Sequence, residues 1–301
     1  MPTPRRDRID AQGAVLLIGF SLLMGLNQAL IKLVNAGMAP VFQAGLRSAL
    51  AVLPVLIFAL ITRKKLSVTD GSLGPGLICG GLFALEFVLL FQALDYTSVA
   101  RTSIFFYTMP FWVALGAHWL IPGERLTSRR LAGLGLAILG VALALSGRDE
   151  TLGPLAWLGD LMCLLAAICW AVLALIMRVS RFRHASPEMQ LLYQLGVSAP
   201  VLLVLAPTFG DTFREMTEIL WAVFAFQVLV VVSVGFLTWF WVLSVYPAPQ
   251  MASFSFLAPV FGVLAGWAIF GDPLTPQILA ALGLVGAGIF LVNWRGTLGR
   301  R

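Results

Sequence analysis

A single carboxylate, Glu86, interrupts an otherwise uncharged stretch from Leu73 to Leu94. At 100° per residue, Cys79, Phe83, Glu86, Phe87 and Leu90 share one helix face, which sets the carboxylate among aromatic rings. Arg47 stands in the preceding apolar stretch with Gln43 one helical turn away. Counting ~1.5 Å per residue from the stretch ends, Glu86 lies roughly 13 Å below Asp95 and Arg47 roughly 10 Å below Pro40. The two charges reach matching depth. An ionisable group inside a bilayer is costly and is a functional candidate by default. Three readings follow: a buried ion pair with Arg47 that fixes one helix against the next, a carboxylate facing a cavity where it meets a substrate ammonium or carries a proton, or a glutamate without a role.

Other polar side chains gather near that depth: Asn27 and Gln28 in the first apolar stretch, Tyr107 in the fourth, and Gln194 in the seventh. Each is read either as part of a cavity lining or as an interhelical hydrogen bond worth ~1 kcal/mol or less. Trp170, Trp239, Trp241, Phe83, Phe105 and Phe106 are candidates for an apolar cavity wall, against the alternative that they face lipid or neighbouring helices. Trp112, Trp119, Trp157, Trp221, Trp267 and Trp294 lie nearer stretch ends, where an interfacial belt accounts for several of them. Enzymatic chemistry has little to stand on. There is no His-Glu-x-x-His motif and no phosphate-binding glycine loop followed by lysine, and His118 and His184 are the only histidines. Cys79, Cys163 and Cys169 fall within apolar stretches and read as packing residues. No metal and no cofactor is expected.

These residues need helices in lipid to position them. The 301 residues are 59% hydrophobic and 11% charged, with a mean hydropathy of +0.93, whereas soluble domains carry roughly 25% charged residues. Apolar stretches of roughly 20 residues, the length that spans a bilayer, follow almost end to end. Ten spans are expected, at 12–34, 40–62, 73–94, 98–120, 130–147, 154–179, 188–207, 219–245, 249–270 and 276–294. The uncharged run from Ile219 to Gly271 divides in two at Tyr246-Pro247-Ala248-Pro249. The first span lacks the small-x-small site of a cleavable signal, and no soluble domain is expected.

Two stretches about 150 residues apart match each other. Tyr96, Thr97, Pro110, Glu124-Arg125-Leu126-Thr127 and Gly140-Val141 recur as Tyr246, Pro247, Pro259, Asp272-Pro273-Leu274-Thr275 and Gly288-Ile289. The alignment pairs Lys32 with Arg178, Glu124 with Asp272, Arg47 with Gln194 and Glu86 with Phe236. Five spans per copy, an odd number, force the copies into opposite orientations, so the expected fold is all-α and integral to the membrane, with ten transmembrane helices in two inverted five-helix repeats, 1–147 and 148–301. Pro110 and Pro259 occupy matching mid-helix places in spans four and nine, as gate-like bends or static kinks. Gly76 with Gly80, and Gly262 with Gly266, offer small faces for close helix approach.

Lysine and arginine concentrate in cytoplasmic loops. With the N-terminus inside, fifteen of the twenty basic residues fall on that side, leaving Arg148 and Arg214 outside and Lys32, Arg47 and Arg101 in or beside spans. Both termini are then cytoplasmic. The net charge of +6 reports topology and gives no reason to expect nucleic acid. Inverted repeats are a recurring construction of secondary transporters, which makes alternating access the working hypothesis.

Ala93-Leu94-Asp95-Tyr96-Thr97-Ser98, then Pro110, then Gly123-Glu124-Arg125-Leu126-Thr127 with Arg129-Arg130, Gly133 and Gly140-Val141, resembles the EamA-type module of the drug/metabolite transporter superfamily. Gly271-Asp272-Pro273-Leu274-Thr275 marks a second, looser copy, so the resemblance covers the whole chain. Met24-Gly25 stands where the family usually has Trp-Gly, while the second copy keeps Trp170. Within the family the chain is most similar to the bacterial YddG-type exporters, whose substrates include aromatic amino acids. The resemblance implies an inner-membrane exporter with a central cavity between spans one, three, four, six, eight and nine, and aromatic and other neutral amino acids as substrates. Export of another metabolite or drug, and a non-transporting scaffold or sensor, are the alternatives. The expected partners are a small-molecule substrate and the lipid bilayer; no obligatory protein partner is evident.

Overall fold

The computed structural model describes residues 9–147, 152–246, 254 and 256–293, without the side chains of 237, 240, 243 and 244. The expected break at Pro247-Ala248-Pro249, Arg148, the basic residues at both termini and Trp294 lie outside the described residues. The chain is helical: α1 Ala11–Asn35, α2 Pro40–Ile61, α3 Leu73–Tyr96, α4 Val99–Phe106, α5 Met109–Leu120, α6 Ser128–Ser146, α7 Ala156–Val179, α8 Pro187–Leu205, α9 Glu218–Phe226, a π-helical segment Gln227–Gly235, α10 Phe236–Val245, α11 Leu257–Phe270 and α12 Pro276–Asn293. Among the described residues extended pairing is limited to one bridge, between Met38 and Phe213. Among the described residues, eight helical stretches are long and apolar enough to cross a membrane; α11 is apolar but shorter. The protein is a multi-pass membrane protein.

Helix starts follow local chemistry. Asp10 accepts from the Gly13 amide, Ser98 from Arg101, Thr127 from Arg130, Ser186 from Met189 and Thr217 from Leu220. Each satisfies an amide that has no partner inside its own helix, worth about 1 kcal/mol. The expected fourth span is two helices, α4 and α5, that meet at Tyr107-Thr108. Pro110 explains the break without standing in it. Lacking an N–H, it cannot bond the Phe106 carbonyl four residues back, and its ring crowds that carbonyl; α4 ends at Phe106, and Pro110 sits in the first turn of α5, where a missing N–H costs nothing. Pro259 is likewise the third residue of α11. Neither proline bends a continuous described helix, contrary to the mid-helix placement expected for both. Among the described residues the helix-interior prolines are Pro54 in α2 and Pro200 in α8, and these two helices pack along each other.

The eighth span also departs from a plain helix. Its middle widens into the π segment, a rare form that often marks functional sites, over a run dominated by valine. Ser233 Oγ donates to the Val228 carbonyl five residues back at 2.8 Å, and Gln227 Nε2 donates to the Leu30 carbonyl of α1 at 3.0 Å.

α1 packs on α11 and along the stretch α9–α10; α7 packs on α3, α4 and α5; α2 lies on α8 and the π segment; α3 also meets α8, and α6 pairs with α12. Glycines set the closest approaches. A Cβ on Gly25 would lie 2.6 Å from the Ala258 carbonyl oxygen, and one on Gly262 would lie 2.1 Å from Ser103 Oγ. Gly262→Ala is therefore expected to push α11 from α4 and lower stability by about 1–3 kcal/mol, read as earlier thermal unfolding in detergent, whereas Gly283→Ala, with nothing within 4 Å of its Cβ, does not lower the unfolding temperature and raises it slightly.

Candidate functional site

A cavity of about 100 Å³ lies where α1, α2, α3, α4, α7, α8, the π segment and the start of α10 converge. Its polar lining is Asn27, Arg47, Ser48 and Glu86; the rest is apolar, including Met24, Phe83, Phe106, Trp170 and Phe236. α2 and α8 contribute and α11 does not, which differs from the expected set of spans.

Arg47 and Glu86 are 3% and 2% exposed, and they do not form an ion pair: among the described residues no salt bridge joins them. The guanidinium instead lies over two rings, 4.8 Å from the centre of Phe87 and 4.5 Å from that of Phe91. Its Nη1 donates a long bond, 3.4 Å, to Asn27 Oδ1, and its Nε has no protein partner. Glu86 Oε2, Ser48 Oγ and both amide atoms of Gln43 are also without one. Leaving such an atom unmet costs about 1–3 kcal/mol, more for a charged group. An opposed cation and anion, apart from each other and short of partners, face one aromatic-walled space. That arrangement can hold a molecule carrying both charges beside an apolar side chain.

Of the side chains singled out in the sequence, the cavity unites Asn27, Arg47, Phe83, Glu86 and Trp170. Gln28 does not line it, because its Oε1 accepts from Ser103 Oγ at 3.0 Å. Gln43 is fully buried beside it. Tyr107 is turned into a second core cluster with its ring edge-on to Phe106, Gln194 donates to Met177 Sδ at 3.7 Å, and Trp239 stacks on Phe20 with ring centres 4.8 Å apart. Phe105 lies beside Arg101, and Phe106 lines the cavity. Ser48 went unremarked in the sequence, although as the neighbour of Arg47 it sits at the same depth. Val231 and Val232 had no signal at all, since an all-apolar run does not announce which of its faces meets a cavity.

A larger cavity, about 160 Å³, opens beside Arg101, Ser98 and Gln277. Its one charge is already engaged. Arg101 Nη2 bonds Asp160 Oδ2 at 2.5 Å and Nε spans both carboxylate oxygens at 3.1 and 3.2 Å; Nη1 donates to the carbonyls of Ala144 and Gly147, and Thr97 Oγ1 donates to Asp160. That network joins α4, α6 and α7 and leaves the smaller cavity as the candidate site.

The EamA-like transporter profile matches residues 11–146 and again 157–294. The chain belongs to the EamA-like transporter family. Relatives agree over nearly full length. "Probable amino-acid metabolite efflux pump" describes the Salmonella typhimurium protein, 29% identical over 302 residues covering 95% of each chain, and the Escherichia coli protein, 28% identical over 305 residues covering 96% of this chain and 97% of its own. "Uncharacterized transporter YoaV" of Bacillus subtilis is 25% identical over 282 residues, covering 91% of this chain and 94% of its own. A solved structure whose description names no activity shares the fold, with a TM-score of 0.68 at 19% identity over 92% of this chain and 96% of that one. The protein is a membrane transporter of this family, and its relatives include proteins described as efflux pumps.

Proposed function

We propose that this EamA-family transporter exports amino acids, aromatic and other neutral ones, across the bacterial inner membrane by alternating access. The observation that carries the reading is that Arg47 and Glu86 are both buried on one aromatic cavity, not bonded to each other and short of partners. Arg47 receives the substrate carboxylate and Glu86 its ammonium, while Phe83, Phe106 and Trp170 receive the side chain. Asn27 steadies the guanidinium.

Two inverted modules, 1–147 and 148–301, supply the alternation. The family profile matching twice supports this, as do contacts that come in exchanged pairs: α1 on α11 answers α7 on α4 and α5, and α2 on the π segment answers α8 on α3. Glu86 and its sequence counterpart Phe236 line the same cavity. The halves thus differ where the substrate sits. The charge distribution puts both termini in the cytoplasm. Pro110 and Pro259 open helices at matching positions and serve as the hinges at which those helices change direction; Gln28, Gln43, Tyr107, Gln194 and Trp239 act on the site through helix packing.

Cells expressing the protein are expected to tolerate a several-fold higher concentration of a toxic phenylalanine analogue such as 4-fluorophenylalanine than cells carrying the empty vector. Equal sensitivity, with the protein present in the membrane, contradicts amino-acid export and leaves another metabolite or drug as the cargo.

A further inference from the structure

We propose that Lys32 and Asp272 are a clasp that holds one end of the bundle shut by gripping the backbone of the α3–α4 junction, and that they pair with each other when that end opens. The inference rests on the alternating-access reading. Two groups of helices meet here: α1 with α9–α10 and α11, and α7 with α3, α4 and α5. Among the described residues, the hydrogen bonds between these groups gather toward one end. Lys32 Nζ donates to the Thr97 carbonyl at 2.6 Å, Asn35 Nδ2 to the Phe91 carbonyl at 3.0 Å, and the Ala100 amide to Asp272 Oδ2 at 2.9 Å. Ser103 Oγ meets Gln28 Oε1 a turn deeper. In the adjoining loop, Arg214 bonds Asp95 at 2.8 Å and the Asn35 carbonyl at 2.8 Å.

The two grips are chemically matched to what they hold. Thr97 is the residue that ends α3, and Ala100 lies in the first turn of α4. A cation thus meets the carbonyl end of one helix and an anion the amide end of the next, each the favourable sign for that terminus. Local structure delivers both groups. Lys32 stands in the last turn of α1. α11 ends at Gly271 in the left-handed region, φ +69°, with the Gly271 amide on the Trp267 carbonyl and the Asp272 amide on that of Gly266, and this turn aims the Asp272 carboxylate at Ala100. Lys32 and Asp272 do not form an ion pair with each other.

Their sequence counterparts are in the other state. Arg178 at the end of α7 and Glu124 in the loop after α5 bond directly to each other, without gripping a described backbone group of the facing helices. One cation–anion pair is engaged across the groups, and the matching pair, whose cation and anion come from exchanged halves of the chain, is engaged with itself. Partner exchange between those two arrangements is the step that ties opening at one end to closing at the other.

The test separates pairing from gripping. In Lys32→Asp/Asp272→Lys the two side chains still attract each other, but an aspartate cannot donate to the Thr97 carbonyl and a lysine cannot accept from the Ala100 amide. Ser48→Cys in the cavity reports opening by its reaction with a membrane-impermeant maleimide applied from each face of the membrane in turn, with the protein lacking that cysteine as background for Cys79, Cys163 and Cys169. From the face nearest Lys32, the swapped variant is expected to react about tenfold faster than the parent. Asp272→Asn, which keeps an acceptor oxygen, and Lys32→Met give smaller rises of about threefold and serve if the swapped protein does not fold. A parental rate in the swapped variant, or in both single variants, overturns the clasp. Phenylalanine-dependent labelling that persists in that case leaves transport standing; a cysteine insensitive to phenylalanine from either face in the parent counts against the transport reading itself.

Discussion

Glu86→Gln is expected to weaken binding of neutral amino acids by about thirty-fold or more while the protein still folds. Removing one partner of a buried, hydrogen-bonded charge pair costs about 2–5 kcal/mol, and each ~1.4 kcal/mol is a factor of ten in affinity. In the proposed site the partner would be the substrate ammonium, since Arg47 is not bonded to Glu86 and rests on Phe87 and Phe91. Glutamine keeps the shape and an acceptor oxygen and loses the charge. If the carboxylate were there to fix α2 against α3, the variant would lose folded protein; if it reads the ammonium, yield is kept and affinity falls. Calorimetric titration of the purified protein with phenylalanine decides between them. 3-Phenylpropionate, which lacks the ammonium, is expected to bind the variant as well as or better than the parent, since it no longer faces an unpaired carboxylate.

Asp160→Asn produces the opposite phenotype, a loss of folded protein with no direct change in the site. Asp160 is fully buried, holds Arg101 through both carboxylate oxygens and accepts from Thr97. Taking its charge away leaves a guanidinium uncompensated, a change that costs about 3–5 kcal/mol where a buried pair is broken from one side. The apolar double replacement Arg101→Met/Asp160→Leu removes both charges and is expected to recover most of that loss. Thermal unfolding in detergent reads both. Asp160→Asn unfolding with the parent would mean that the pair carries no stability.

Much of the architecture was legible because hydrophobic length is a local signal. The second span, expected at 40–62, is Pro40–Ile61, and the sixth, expected at 154–179, is Ala156–Val179. Departures came where neighbours in sequence do not decide. The break in the fourth span falls before Pro110, since the proline acts on the carbonyl four residues back. The π segment hides in a valine run whose composition suits an α-helix equally. Arg101 and Asp160 are 59 residues apart, and each read alone is an isolated charge at a span edge; only packing of α4 on α7 makes them a pair. At the candidate site, helical periodicity placed Glu86 among rings. It did not reveal that Arg47 would spend its face on Phe87 and Phe91, because that depends on how α2 leans on α3. Gln194 and Trp239 looked equivalent to lining residues by depth alone, and depth does not specify which way a side chain turns.

Uptake of labelled phenylalanine into liposomes containing the purified protein is the direct measure of amino-acid transport. Saturable flux above that of empty liposomes is expected, competed by other neutral amino acids and lost in Glu86→Gln protein reconstituted to the same density. Flux no greater than through protein-free liposomes, or undiminished flux in the Glu86→Gln protein, would contradict it.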